Sequence, residues 1–163
     1  MRPVTLGPGV LGVIEREARD AYPDEACGFL FSEAGGDDAS VRRLVGARPA
    51  PNEVTVERRR RFVISAEGLR SAESTASERG ELVAGFYHSH PDHPAAPSAF
   101  DTEHAWPWYT YVVVSVDRAG ACVAGAFELD DGGTFRRCDL LPASGGTSVA
   151  APAPLRPPVG REV

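Results

Sequence analysis

Lysine is missing from this chain: all 17 of its basic residues are arginine. The chain therefore cannot be modified on a lysine side chain. With abundant Gly, Pro and Ala, the bias reads as a GC-rich coding signature and not as a functional device. Long apolar runs are also missing, and no stretch approaches the roughly 18 residues of a membrane-spanning helix. The first ten residues, from Met1 to Val10, lack an apolar h-region, so no secretory signal is expected. Cysteine is scarce: Cys27, Cys122 and Cys138 are odd in number, widely spaced and form no CxxC pair. That excludes a disulfide framework or a cysteine-rich zinc site and points to a reducing cytoplasm. A net charge of −6 excludes a general nucleic-acid or anionic-membrane binder.

What remains is a chain of 163 residues, 42% hydrophobic, enough for one globular domain with a genuine core. Leu11, Ile14 and Ala18 recur at helical spacing between Gly9 and Tyr22, and Pro23 ends that helix. Ala26 to Phe31 reads as a buried strand, followed by a turn at Gly35-Gly36-Asp37-Asp38. Strands are expected at Val41 to Ala47 and, after a loop at Ala50-Pro51-Asn52, at Val54 to Ile64. Ser65 is an N-cap for a helix reaching about Arg79. Glu81 to His90 reads as a strand, Pro91 to Pro97 as a rigid loop, and Ser98 to about Trp106 as a short helix stopped by Pro107. Tyr111 to Val116 is the clearest strand. Cys122 to Leu129 and Thr134 to Leu140 flank a hairpin turn at Asp130-Asp131-Gly132-Gly133. Residues 142–163 hold five Pro, three Gly and four Ala, so they read as a tail outside a domain of residues 1–141. Strands interleaved with helices make this a mixed α/β layer fold.

The chemistry concentrates in Tyr87-His88-Ser89-His90-Pro91 and Pro97-Ser98-Ala99-Phe100-Asp101. On a strand, residues two apart share a face, so His88 and His90 present adjacent imidazoles. Eleven residues later, Asp101 lies in the first turn of a helix that the Pro-rich loop returns toward the strand end. Two histidines and a carboxylate leave a fourth position open, the arrangement of a catalytic zinc and not a structural one. A His-x-His pair alone does not specify a metal, and Ser98-x-x-Asp101 is also a helix-capping pattern. Capping is compatible with ligation because it fixes where Asp101 points. Upstream, Asp24 and Glu25 both offer a carboxylate, and the residues alone do not choose between them. Cys27, His93 and His104 read as a core residue, a loop residue and a surface or supporting residue. The Arg58 to Arg61 run reads as a solvated edge.

The spacing His88-x-His90, seven residues, Ser98-x-x-Asp101 resembles the JAMM signature of the MPN-plus metalloproteases. Tyr22-Pro23-Asp24-Glu25-Ala26-Cys27-Gly28-Phe29-Leu30 is similar to that family's Glu-bearing helix-to-strand junction, and the similarity spans roughly Val10 to Leu140. The resemblance implies a single-domain MPN fold, a curled mixed sheet flanked by helices and related to cytidine deaminases. It implies one Zn²⁺ per chain on His88, His90 and Asp101, with Glu25 as acid/base and Ser98 hydrogen-bonding the oxyanion. Bound zinc lowers the pKa of its water to about 7. The implied reaction is cleavage of the amide after the C-terminal Gly-Gly of a small ubiquitin-like or sulfur-carrier protein, as in stand-alone bacterial members. Alternatives are removal of a ubiquitin-like modifier from proteins, and a metal-free MPN scaffold in an assembly, whose members lack motif residues present here. A nucleobase deaminase is set aside because its H-x-E and P-C-x-x-C motifs are absent. A homodimer is left open. The Gly-Gly tail is expected between walls at Asn52 to Arg59, a loop leading into an edge strand, and Pro91 to Pro97.

Overall fold

The computed structural model describes residues 1–36 and 40–142. Asp37 and Asp38 of the expected turn, and the expected tail from residue 143 onward, lie outside the described residues. Strand β1 (Val4–Leu6) leads into helix α1 (Val10–Ala21), then strands β2 (Cys27–Glu33), β3 (Arg42–Leu44) and β4 (Gly46–Ala50). Helix α2 (Ala66–Glu78) precedes the long strand β5 (Glu81–Pro91), followed by the short helix α3 (Ala99–His104). Strands β6 (Thr110–Val116), β7 (Cys122–Leu129), β8 (Phe135–Cys138) and β9 (Leu140–Pro142) complete the order. No helix among the described residues is long and apolar enough to cross a membrane.

The main sheet runs β4-β2-β5-β6-β7-β8, with β5 and β6 parallel and the other neighbours antiparallel. This is the expected mixed α/β domain. The period of two along β6 divides its core between two faces. Val112, Val114 and Val116 pack with Ile14 and Ala18 of α1, whereas Tyr111 and Val113 pack with Phe29, Phe31 and Phe86 below α2. Helix α1 buries Val10, Ile14 and Ala18, and Ser65 caps α2 by accepting from the Gly68 N–H at 3.1 Å.

Three expectations are corrected. Val54 to Ile64 is not a strand, because residues 51–65 are irregular. The β-branched residues favoured extension, but Val56 is exposed and four consecutive arginines offer no apolar face to pack. Side-chain and loop hydrogen bonds engage part of its backbone in place of a ladder. Val41 to Ala47 is split between two sheets: β3 pairs with β1, and β4 with β2, while the Val45 N–H at the break donates to Phe31 O at 2.7 Å. The small parallel sheet β3-β1-β9 was not expected, and Leu140 leaves the β8 segment to join it.

Candidate metal centre

Strand β5 is buried from residue 84 to its end, and His88, Ser89 and His90 lie in that buried part. The strand period puts both imidazoles on the Phe86 side. The loop from Asp92 to Pro97 then turns back, and Ser98 starts α3 with a capping box. Its Oγ accepts from the Asp101 N–H at 3.1 Å, and its own N–H donates to Asp101 Oδ2 at 2.6 Å. The cap fixes Asp101, as the spacing implied, and aims Oδ2 at the strand end.

Three donor atoms converge there. His88 Nε2 and His90 Nε2 are 3.0 Å apart, and Asp101 Oδ2 lies 3.4 Å from the first and 3.5 Å from the second. Tetrahedral zinc with bonds of about 2.0–2.1 Å needs donors separated by about 3.3 Å, so the triangle fits. Among the described residues this is the grouping that could hold a metal ion. The donor chemistry agrees. His90 Nδ1 lies 2.9 Å from the Pro94 carbonyl, so it carries the proton and leaves the Nε2 lone pair free. Burial pushes the His88 ring below its ordinary pKa, favouring the neutral, ligating form. Burial opposes ionisation of Asp101, but its surroundings, the two imidazoles and the Ser98 N–H, outweigh it and hold the carboxyl well below the usual range.

The pair Asp24 and Glu25 is separated by direction. Asp24 faces outward, its Oδ2 3.3 Å from Arg58 Nε. Glu25 is buried, with Oε1 3.9 Å from His90 Nε2. Burial pushes its carboxyl up to about 7. A carboxylate with that affinity suits proton transfer near neutral pH.

Other parts of the frame were not singled out in the sequence. Ser89 Oγ accepts from the Ala26 N–H at 2.8 Å, and the Ser89 N–H donates to Ala26 O at 2.9 Å. The residue between the two histidines thus pins the Glu25 junction to their strand. Tyr22 donates to Asp92 Oδ2 at 2.8 Å, tying the same junction to the loop after His90. Beside His88 and Asp101 lies an apolar cavity of about 300 Å³, walled by Phe62, Phe86, Phe100, Trp106 and Tyr111. Apolar side chains adjacent to a polar sequence motif gave no local signal of this cavity.

Cys27 is buried with its thiol pushed up to about 12 by burial, as fits a core residue. His104 bonds the Phe100 carbonyl at 2.9 Å and stacks on that ring, and neither it nor His93 joins the cluster. The Arg58 to Arg61 run is partly engaged: Arg58 pairs with Asp24, and Arg61 pairs with Glu57.

The fold recurs in known proteins. Residues 8–128 match the family model of prokaryotic homologs of the JAB domain. Desampylase of Haloferax volcanii is 40% identical over 96 residues, 58% of this chain and 65% of that protein. The match thus spans slightly less than two thirds of that relative. A Salinibacter ruber protein solved in solution is 37% identical with a TM-score of 0.65, covering 93% of this chain and 97% of its own. A Desulfitobacterium hafniense protein is 26% identical with a TM-score of 0.72, covering 85% and 92% respectively. On the extent of the family match and the agreement of fold, the chain belongs to the prokaryotic JAB-domain proteins of the JAMM/MPN family.

Proposed function

We propose that the chain is a zinc-dependent peptidase or isopeptidase that cleaves the amide after the C-terminal Gly-Gly of a ubiquitin-like or sulfur-carrier protein. The observation that carries this reading is the buried Glu25 carboxylate, directed at a three-donor triangle that leaves a fourth position open. Zinc held by His88, His90 and Asp101 would polarise the scissile carbonyl and acidify a water to a pKa of about 7. Glu25 accepts a proton from the attacking water at Oε1 and returns it to the departing amine. The Ser98 hydroxyl, which donates to Asp101 Oδ2 at 2.7 Å, turns from that oxygen to meet the developing oxyanion. The apolar cavity beside the donors offers a substrate an uncharged surface next to the reacting groups.

The name of the Haloferax relative, desampylase, denotes removal of a ubiquitin-like archaeal modifier and supports this substrate class. It equally favours the second reading, in which the scissile bond is an isopeptide to a modified protein. Three free cysteines support a cytoplasmic location. The presence and proximity of His88, His90 and Asp101 favour the enzyme over the metal-free scaffold reading.

The test uses carriers extended beyond Gly-Gly, some by a peptide and some through a lysine side chain. Cleavage after the second Gly is expected, and the preferred arm distinguishes processing from modifier removal. Replacing the penultimate Gly of the carrier by Val should sharply lower kcat/KM. Undiminished cleavage of the Val carrier would mean a general peptidase instead.

A further inference from the structure

The chemistry above leaves Asn52 unused, yet its side chain is bonded on all sides. Nδ2 donates to the main-chain carbonyls of Glu25 at 3.1 Å and Arg61 at 3.0 Å. Oδ1 accepts from the N–H groups of Val54 at 3.1 Å and Val63 at 3.2 Å. Two donor and two acceptor bonds exhaust the usual capacity of a carboxamide. Main-chain bonds close the same loop: Glu25 N–H to Arg58 O at 2.8 Å and Glu53 N–H to Val63 O at 3.0 Å.

The partners lie on both sides of the metal centre. One is the backbone of Glu25 itself. Two others, Arg61 and Val63, bracket Phe62, whose ring stacks on His88 at 4.6 Å, and the Arg61 guanidinium lies 5.0 Å over Phe100. Residues 51–65 have no strand ladder, so the Asn52 bonds, the Glu25 N–H to Arg58 O bond and the Arg58–Asp24 pair register this segment against the site.

We propose that Asn52 is a positioning residue for the site: its carboxamide holds Glu25 against His90 and Phe62 over His88. The inference rests on the acid/base role proposed for Glu25. Asparagine is the residue the four partners select. Aspartate has the same shape but would turn an oxygen toward two carbonyl oxygens. Glutamine would displace the bonded group by a methylene, and alanine removes every bond.

Asn52→Asp and Asn52→Ala test the proposal. Aspartate retains the acceptor for Val54 and Val63 while losing both donor bonds. Misplacement of a reacting group by about 1 Å can cost about 100-fold, so kcat on a Gly-Gly-extended carrier should fall about 10–100-fold in both variants. KM should stay within about threefold, because the four bonds lost all run to this chain's own main chain. Zinc content should be unchanged, since the ligands stand on β5 and α3. Amide hydrogen exchange supplies a reading independent of turnover. Exchange at Glu25 should quicken by about tenfold or more in both variants, and at Val63 only in the alanine variant. Wild-type kcat in Asn52→Asp would overturn the proposal, as would a loss that tracks lost zinc. Should wild-type protein cleave no Gly-Gly carrier, the proposed function fails by itself. Exchange then decides for Asn52: protection at Glu25 as in wild type overturns it. If the alanine variant does not fold, the isosteric aspartate variant carries the test.

Discussion

The Ser98 hydroxyl donates to Asp101 Oδ2 at 2.7 Å and accepts from the Asp101 N–H at 3.1 Å. One side chain therefore both caps α3 and holds the oxygen proposed as a zinc ligand in place. Ser98→Ala, with zinc content measured alongside, separates these duties from oxyanion stabilisation. Loss of a cap alone costs about 1 kcal/mol of stability and leaves kcat nearly untouched. Loss of an oxyanion donor lowers kcat by roughly 10²–10³ with little change in KM. We expect the second pattern superimposed on a modest drop in Tm, read from melting curves and kinetics on one preparation.

One zinc per chain should be retained by purified protein and be lost from the His88→Ala, His90→Ala double variant. Ligand present at 100 times its Kd stabilises the fold by about 2.7 kcal/mol, so zinc should raise the Tm of wild type by several degrees. The double variant should show no such rise. Elemental analysis and melting with and without chelator check both statements, and full zinc retention by the double variant would place the site elsewhere.

Glu25→Gln keeps size and removes the proton acceptor. Turnover should fall by about 10²–10⁴ while zinc stays bound. Asp24→Asn, which only loses an exposed pair with Arg58, should remain active. A pH effect on stability follows in chelated protein. The Glu25 pKa is raised from 4.5 to about 7 in the folded state, so the fold binds more protons than the unfolded chain between those values. Its contribution to stability is therefore lost as pH rises from about 4.5 through 7. Glu25→Gln should flatten that decline in a urea series across this window.

How legible the site was depended on how local each part is. His88 and His90 are set by the strand period, and Asp101 by a cap three residues before it, so both could be read from spacing. The choice between Asp24 and Glu25 could not. Direction at that junction depends on Arg58, which is 34 residues away and pulls Asp24 outward. The sheet β3-β1-β9 escaped because its strands are three residues each and join the two ends of the domain. Residues 54–64 misled because extended propensity is only realised where a neighbouring strand supplies a ladder. There the ladder is replaced by Asn52, whose four partners are visible only once the chain is folded.

The register of the histidine strand depends on Gly85, and this yields a prediction with a built-in control. Gly85 faces Thr110 where β5 and β6 run parallel. A Cβ at Gly85 would sit 1.9 Å from the Thr110 carbonyl oxygen and 2.9 Å from its nitrogen. These are main-chain atoms, so relief requires the two strands to part. The same pairing places His88 beside Val113 and His90 beside Ser115. Gly85→Ala should therefore destabilise by about 1–3 kcal/mol, the usual cost of overpacking, and also weaken zinc binding. A Cβ at Gly12, within α1, would meet nothing within 4 Å. There the same substitution relieves the entropic cost of glycine in a helix and should stabilise by about 0.5–1 kcal/mol, with zinc affinity unchanged. Opposite shifts in Tm, with zinc affinity altered only at Gly85, are the expected result. Equal zinc affinity in both variants would show that the donor triangle tolerates movement between β5 and β6, and that its geometry is set by Asp101 and the capped helix alone.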